Sequence, residues 1–312
     1  MEIDVHQHLW PEPLLSELGR RSAPPRLRRR REGWVVEVPG ERDAAVDLAD
    51  HDPDRRAELV RADGLDRAYV ALSTPLGIEA LPPGAARPLL DAWHDGAAAL
   101  PAEFGAWAAP SVSEPDPGHL AGLLDRSFVG ACLPAEALSS ADGFDRCGSL
   151  LELLEARGAP LLVHPGPAPD TLSVPAIDAA AARVPSWWPA VTRYVAAMNA
   201  AWHAFAQFGR PSHPRLRVCF AMLAGLAPLH GERLRARGGD RGAVDPLVFV
   251  ESSSYGTRAV DAIVRVLGVD AVVLGSDRPY ASPDDLGLGS AAADAMQSRN
   301  PAHLLDVEGV MG

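Results

Sequence analysis

The chain contains no lysine, and every one of its 29 basic residues is arginine. That excludes chemistry built on a lysine amine: a Schiff base, a phosphate-loop ammonium, or a carbamylated lysine bridging two metals. Any metal site must draw on His, Asp, Glu or Cys. Cysteine is scarce too. Cys132, Cys147 and Cys219 are widely spaced and odd in number, which fits neither a disulfide framework nor a Cys-x-x-Cys metal site; they read as reduced structural thiols. No apolar run reaches the roughly 20 residues that span a bilayer. The Glu2-Ile3-Asp4 opening lacks the basic start of a secretory signal. The expectation is a soluble cytoplasmic protein without a membrane partner. A net charge of -12 argues against a nucleic-acid partner. The exception is the run Arg26-Leu27-Arg28-Arg29-Arg30-Arg31, expected as a solvated loop, with attraction of anionic substrates as the alternative.

Short continuous apolar runs do recur: Ile3–Val5, Ala68–Leu72, Gly105–Ala109, Val129–Leu133, Leu161–Val163, Val218–Ala221, Val248–Val250 and Ala271–Leu274. Continuous rather than alternating hydrophobicity marks parallel strands buried on both faces. Helical patterns such as Pro53–Asp63, Ala86–Leu100, Ser149–Arg157 and Thr257–Leu267 lie between them. Eightfold strand–helix alternation predicts a (β/α)8 TIM barrel in one domain, residues 1–312. A doubly wound open sheet is the alternative, but no Gly-x-Gly-x-x-Gly follows the first strand. Two connections are long. The first, about residues 10–51, holds the arginine run and a hairpin strand at Trp34–Val38; the second, about 166–214, is helical. Within it Trp188, Val191, Val195, Met198, Trp202 and Phe205 recur at helical spacing, an apolar face for packing on the barrel, a lid, or a homodimer contact.

The most informative feature closes the first run: Ile3-Asp4-Val5-His6-Gln7-His8-Leu9. Alternate side chains on a strand share a face, so His6 and His8 can reach one point, half of a zinc-type site. In a parallel barrel, functional groups gather at the C-terminal ends of strands. His164 ends the fifth run and Asp277, in Gly275-Ser276-Asp277-Arg278-Pro279, follows the eighth. Each alone has a bland explanation, a hydrogen-bonded imidazole or a turn-capping carboxylate. In matching strand positions they predict a metal site.

The order His6-x-His8, His164, Gly275-Ser276-Asp277-x-Pro279 resembles the amidohydrolase superfamily, and within it the amidohydrolase-2 group, which includes aminocarboxymuconate-semialdehyde decarboxylase and related aromatic-acid decarboxylases. The resemblance covers nearly the whole chain. Arg61-Ala62-Asp63-Gly64-Leu65-Asp66, His213-Pro214-Arg215-Leu216 and Asn300-Pro301-Ala302 support it. It implies one divalent metal, usually zinc, with manganese, iron and cobalt as alternatives. His6, His8, His164 and Asp277 become the ligands, and Asp277 the base that takes a proton from water in hydrolytic members. Glu136 is the one local carboxylate that could bridge a second metal.

One position departs from the pattern. Where the group carries a histidine after the sixth strand, in His-x-Gly-Gly-x-x-Pro, this chain reads Met222-Leu223-Ala224-Gly225-Leu226-Ala227-Pro228. A thioether carries no transferable proton. His230 is a substitute or a helix-packing residue. On this basis the first expectation is a metal-dependent hydrolase of a small ester, lactone or amide, with Asp277 as general base. The alternatives are a non-oxidative decarboxylase of an aromatic or enoic acid, and a non-catalytic metal-binding protein. Candidate contacts for a small, carboxylate-bearing substrate are Arg278, Trp10, Glu251 and Ser252 to Ser254, each with packing or a surface ion pair as the other reading.

Overall fold

The computed structural model describes residues 1–171, 185–240, 242–282 and 286–306. In chain order the strands are β1 (Ile3–His8), β2 (Arg26–Arg30), β3 (Gly33–Glu37), β4 (Ala44–Val46), β5 (Arg67–Ala71), β6 (Phe104–Ala106), β7 (Ala131–Pro134), β8 (Leu161–His164), β9 (Val218–Phe220), β10 (Val248–Glu251) and β11 (Val272–Val273). Two parallel sheets form, β1-β5-β6 and β11-β10-β9-β8-β7. Backbone bonds join them at both seams. Ala108 N–H donates to Gly130 O and Cys132 N–H to Ala108 O, both at 2.8 Å; Val5 N–H donates to Leu274 O at 2.9 Å and His8 N–H to Arg278 O at 2.6 Å. The eight parallel strands thus close into the expected (β/α)8 barrel. Helices such as Pro53–Ala62, Pro83–Ala98, Ala141–Arg157 and Thr257–Leu267 follow the strands. The side chains of Asp52 and Ser140 take the free N–H groups at two of their starts.

The arginine run is a strand, not a loop. β2, β3 and β4 form an antiparallel meander in the first long connection. Arg26 and Arg30 both pair with Glu37 on β3, and Arg29 lies 5.5 Å over the Trp34 ring. The apolar stripe of the second connection divides. Met198 and Phe205 are buried, and Phe205 and Trp202 pack on Phe220 of β9, while Trp188 and Val191 are exposed. Residues 172–184 of this connection lie outside the described residues. No described helix is long and apolar enough to cross a membrane.

A second hydrophobic cluster takes side chains from all eight barrel strands or their ends: Ile3, Val5, Tyr69, Ala71, Trp107, Cys132, Leu162, Cys219, Phe249 and Val273. Its alternation with the larger outer cluster (Val163 outside, Leu162 inside) identifies it as the barrel filling. Ile3 and Val5 belong to this filling, so strict alternation would send His6 and His8 out of the barrel. The β1–β5 register breaks between Asp4 and Gln7. This bulge reverses the parity and turns both histidines toward the interior.

The bulge removes backbone groups from the ladder, and side chains satisfy them. Asp4 Oδ1 accepts His6 N–H at 3.0 Å and Ser276 N–H at 3.1 Å, and Asp4 Oδ2 accepts the Gln7 amide at 2.8 Å. Trp107, inside the barrel, donates its indole N–H to Val5 O at 2.9 Å. Burial pushes the Asp4 carboxyl pKa up, and these hydrogen bonds oppose the rise. Asp4→Ala strands two backbone donors and an amide in the interior. Denaturant unfolding should show a loss of about 2–5 kcal/mol, with a smaller loss for Asp4→Asn. An unchanged midpoint for Asp4→Ala would refute this account of the bulge.

Candidate metal centre

The bulged end of β1, the end of β8 and the turn after β11 bring four ligand-type atoms together. His6 Nε2 and His8 Nε2 are 3.1 Å apart, His8 Nε2 and His164 Nε2 3.3 Å, and His8 Nε2 and Asp277 Oδ1 3.2 Å. All four ligand atoms lie within 4.8 Å of one another. The three imidazoles meet edge to face, with centroids 4.7 to 4.9 Å apart. His6, His8 and His164 are buried, while the Asp277 side chain keeps 19% of its surface exposed.

Each imidazole is oriented through its other nitrogen. His6 Nδ1 faces Glu251 Oε1 at 3.3 Å, and His8 Nδ1 faces Ala71 O at 2.9 Å. His164 Nδ1 lies 2.6 Å from Thr74 Oγ1 and 3.1 Å from Pro165 O. Thr74 Oγ1 itself donates to Pro165 O, so it accepts from His164. With Nδ1–H donated to an oxygen in every case, all three Nε2 lone pairs converge. Lone pairs at this separation repel unless a cation lies between them. Asp277 Oδ1 is buried and lacks a hydrogen-bond partner, a costly state for a carboxylate oxygen. A cation with bonds of about 2.1 Å would separate its ligand atoms by about 3.0–4.2 Å, the range in which the three spacings about His8 Nε2 fall. The four residues therefore fit one divalent ion.

The electrostatics of His164 and His8 favour the neutral rings this arrangement needs. Burial pushes His164 well below the ordinary imidazole range, helped by its histidine neighbours, and pushes His8 down as well. Burial also presses on His6, but the Glu251 hydrogen bond and charge, with Asp277 and Asp4, outweigh it and hold His6 above its ordinary value. Arg56 is buried beneath β1, donating to His8 O at 2.8 Å, to Asp50 O at 3.1 Å and to the Gln7 side chain.

Other expected contacts are placed differently. Glu251 is fully buried and does not face the mouth as a substrate contact. Its Oε1 accepts Met222 N–H and Ser253 Oγ–H, both at 2.7 Å, and its Oε2 accepts Ser253 N–H at 2.6 Å. Its role is to hold His6. Ser252 is buried, with its N–H bonded to Val273 O. The Arg278 side chain pairs with Asp63 at 2.7 Å rather than standing free for a substrate carboxylate. Glu136 lies beside Arg193 and Thr171 and is not among the four clustered ligands. Trp10 is buried and donates its indole N–H to Ser73 Oγ at 2.9 Å. His230 is exposed near His203 and does not replace the absent histidine.

Met222 begins a strained segment. Met222 through Leu226 have φ values from 48° to 65°, a left-handed turn with glycine at one position only. Left-handed backbone costs roughly 1–2 kcal/mol per non-glycine residue. The Asn199 amide holds the turn by donating to Gly225 O at 2.7 Å. The strain aims Met222 N–H at Glu251 Oε1. This position supports the centre through its backbone, whatever its side chain.

Sequence reading missed Thr74, Ser73, Arg56, His51 and Tyr280. Tyr280, three residues after Asp277, has its ring 5.5 Å from His8 and shares a hydrogen bond with Ser73. Its place in the strand 8 turn was the available signal. For the others nothing near them in the sequence points to the centre.

No protein family matches the chain by sequence, and no curated protein does. Solved structures match it over nearly its full length. An IDCase from Metarhizium anisopliae aligns with TM-score 0.74 at 14% identity, covering 99% of this chain and 97% of that one. A 5-carboxyvanillate decarboxylase from Novosphingobium aromaticivorans, complexed with manganese and 4-hydroxy-3-methoxy-5-nitrobenzoic acid, aligns with TM-score 0.73 at 17% identity over 98% and 96%. A 2,6-dihydroxybenzoate decarboxylase from Rhizobium aligns with TM-score 0.68 at 18% identity over 99% of both chains. The chain shares the fold of these proteins and of a structure named as an amidohydrolase II, which aligns with TM-score 0.72 at 17% identity, in keeping with the resemblance of its motif order.

These neighbours overturn the expectation of hydrolysis. The neighbours named for a substrate are decarboxylases. Met222 lacks the strand 6 imidazole, but the role visible at that position is a backbone one.

Gly275 approaches Glu251 so closely that a Cβ there would lie 2.2 Å from Oε2. Gly275→Ala should displace Glu251, loosen His6 and weaken metal retention by about 10- to 100-fold, read by competition with a chelator. Wild-type retention would show that Glu251 does not orient His6.

Proposed function

We propose that the protein is a metal-dependent, non-oxidative decarboxylase of an aromatic acid that carries a hydroxyl beside its carboxylate. The observation that supports this most is the convergence of three Nε2 lone pairs and the unpartnered Asp277 Oδ1 at the mouth of this fold. Both 2,6-dihydroxybenzoate and 4-hydroxy-3-methoxy-5-nitrobenzoic acid, named for two structural neighbours, carry a hydroxyl next to a carboxylate or nitro group.

His6, His8, His164 and Asp277 would hold one divalent ion. When bound it supplies Lewis acidity. Three imidazoles and one carboxylate accept manganese, iron, cobalt or zinc, and manganese is the ion named for the 5-carboxyvanillate decarboxylase complex. In the reaction the bond between ring carbon and carboxylate breaks, carbon dioxide leaves, and the electron pair left on the ring carbon takes a proton. Asp277 is suited to relay it from solvent. The imidazole Nδ1 atoms face protein oxygens, whereas the Asp277 carboxyl is the partly exposed member of the group. The Tyr280 ring beside His8 offers an aromatic face for a planar substrate.

Purified protein should hold about one divalent transition metal per chain by elemental analysis, and His6→Ala with His8→Ala should remove it. No metal in the wild type after loading with manganese and zinc would overturn the proposal. Ortho-hydroxylated benzoates should release carbon dioxide, with Asp277→Asn lowering kcat by about 10²–10⁴-fold. No carbon dioxide from the metal-loaded wild type across such a panel would refute the decarboxylase reading.

A further inference from the structure

His51 ends the short 3₁₀ turn Leu48–His51 that closes the first long connection. It is buried, with 5% of its surface exposed. Its ring stacks on Trp10, centroids 4.6 Å apart and planes 8° from parallel. Trp10 N–H donates to His51 Nδ1 at 3.1 Å. That contact decides the tautomer. An Nδ1 that accepts a hydrogen bond carries a lone pair, so the ring proton sits on Nε2. Among the described residues Nε2 has no hydrogen-bond partner, and it is not one of the fully enclosed unpartnered atoms. His51 therefore keeps one free polar feature, a slightly exposed N–H donor.

Its surroundings tie that ring to the candidate metal centre. The stacked Trp10 is two residues beyond His8 and bonds Ser73, which in turn shares a hydrogen bond with Tyr280, whose ring lies against His8. The charged and titratable groups acting on His51 are Arg56, His8 and Asp47. Burial, with Arg56 and His8 adding to it, lowers its pKa to about 4, so the ring stays neutral at physiological pH.

We infer that His51 is a substrate-binding residue: its Nε2–H, locked by the Trp10 backbone, donates to an oxyanion of the bound aromatic acid. The inference rests on the reading of this mouth as an aromatic-acid site. It gives the site a neutral imidazole, on the β1–β5 side, where Met222 leaves the strand 6 position without one. A neutral donor also suits the chemistry, because it holds the carboxylate without neutralising the charge that passes into the ring as neutral carbon dioxide leaves.

The test uses metal-loaded full-length protein and 2,6-dihydroxybenzoate as the probe. Long-range ¹⁵N–¹H NMR of the wild type should show His51 as the Nε2–H tautomer from pH 5 to 8, with its Nε2 signal shifting when the probe is added. His51→Phe keeps a ring to stack on Trp10 and loses the donor. It should retain its metal and bind the probe about tenfold or more weakly by calorimetry. His51→Gln, which can accept from Trp10 and donate outward, should recover much of the affinity. It also guards against misfolding of the phenylalanine variant. Wild-type affinity in folded, metal-replete His51→Phe overturns the inference, as does an Nδ1–H tautomer. Binding that depends on His51 without carbon dioxide release supports the inference and defeats the decarboxylase reading. Carbon dioxide release with an unchanged KM in His51→Phe does the reverse. No probe binding to the wild type overturns the inference as stated.

Discussion

The register break in β1 is what the rest of the site depends on. Without it, Ile3 and Val5 could fill the barrel only if His6 and His8 faced outward. One residue of slip reverses every side chain that follows. The bulge is held by a carboxylate and an indole, each taking a backbone group that the ladder no longer serves. Asp4 extends the same service to Ser276 N–H, next to Asp277. One buried carboxylate thus ties the positions of both β1 histidines to the turn that carries Asp277. Burial is unfavourable for Asp4, and the three groups it satisfies are what hold it there.

Around this anchor, the supporting bonds come from distant parts of the chain. His6 depends on Glu251 of β10, which depends on Met222 N–H after β9 and on the absence of a side chain at Gly275. His164 depends on Thr74, in the loop after β5. His8 is held through Ala71 O, with Arg56 beneath it taking the His8 carbonyl. Each imidazole is therefore held in one tautomer by a different strand or loop. That preorganisation lets lone pairs point at one place in a dry environment. The left-handed turn at Met222–Leu226 fits the same logic: strain is localised where it aims a donor at the centre's support.

Much of this was legible in the sequence, for reasons that particular residues show. Buried parallel strands need apolar side chains on both faces, so Leu161–Val163 and Val248–Val250 announce themselves as runs. The candidate ligands His164 and Asp277 follow such runs closely, and the strand end is where a barrel gathers its chemistry. Contacts were less legible than positions. Glu251 and Arg278 sit at strand ends like the ligands, yet one turns inward to His6 and the other pairs with Asp63. Side-chain direction is set by neighbours that the local sequence does not contain. The Met222 substitution misled because a side chain is visible in a sequence and a backbone N–H is not.

The sequence by itself determined the eight-strand alternation, the order of four ligand-type residues, and the exclusion of lysine chemistry. Periodicity, spacing and composition are local properties, and they survive in one dimension. The tertiary structure alone decided that β1 bulges, that Glu251 serves His6, that the arginine run is a strand pairing with Glu37, and that His51 stacks on Trp10 41 residues away in the chain. Those facts arise from satisfying buried polar groups among segments far apart in sequence. The partner of a buried donor is chosen by proximity after folding, which no local pattern records.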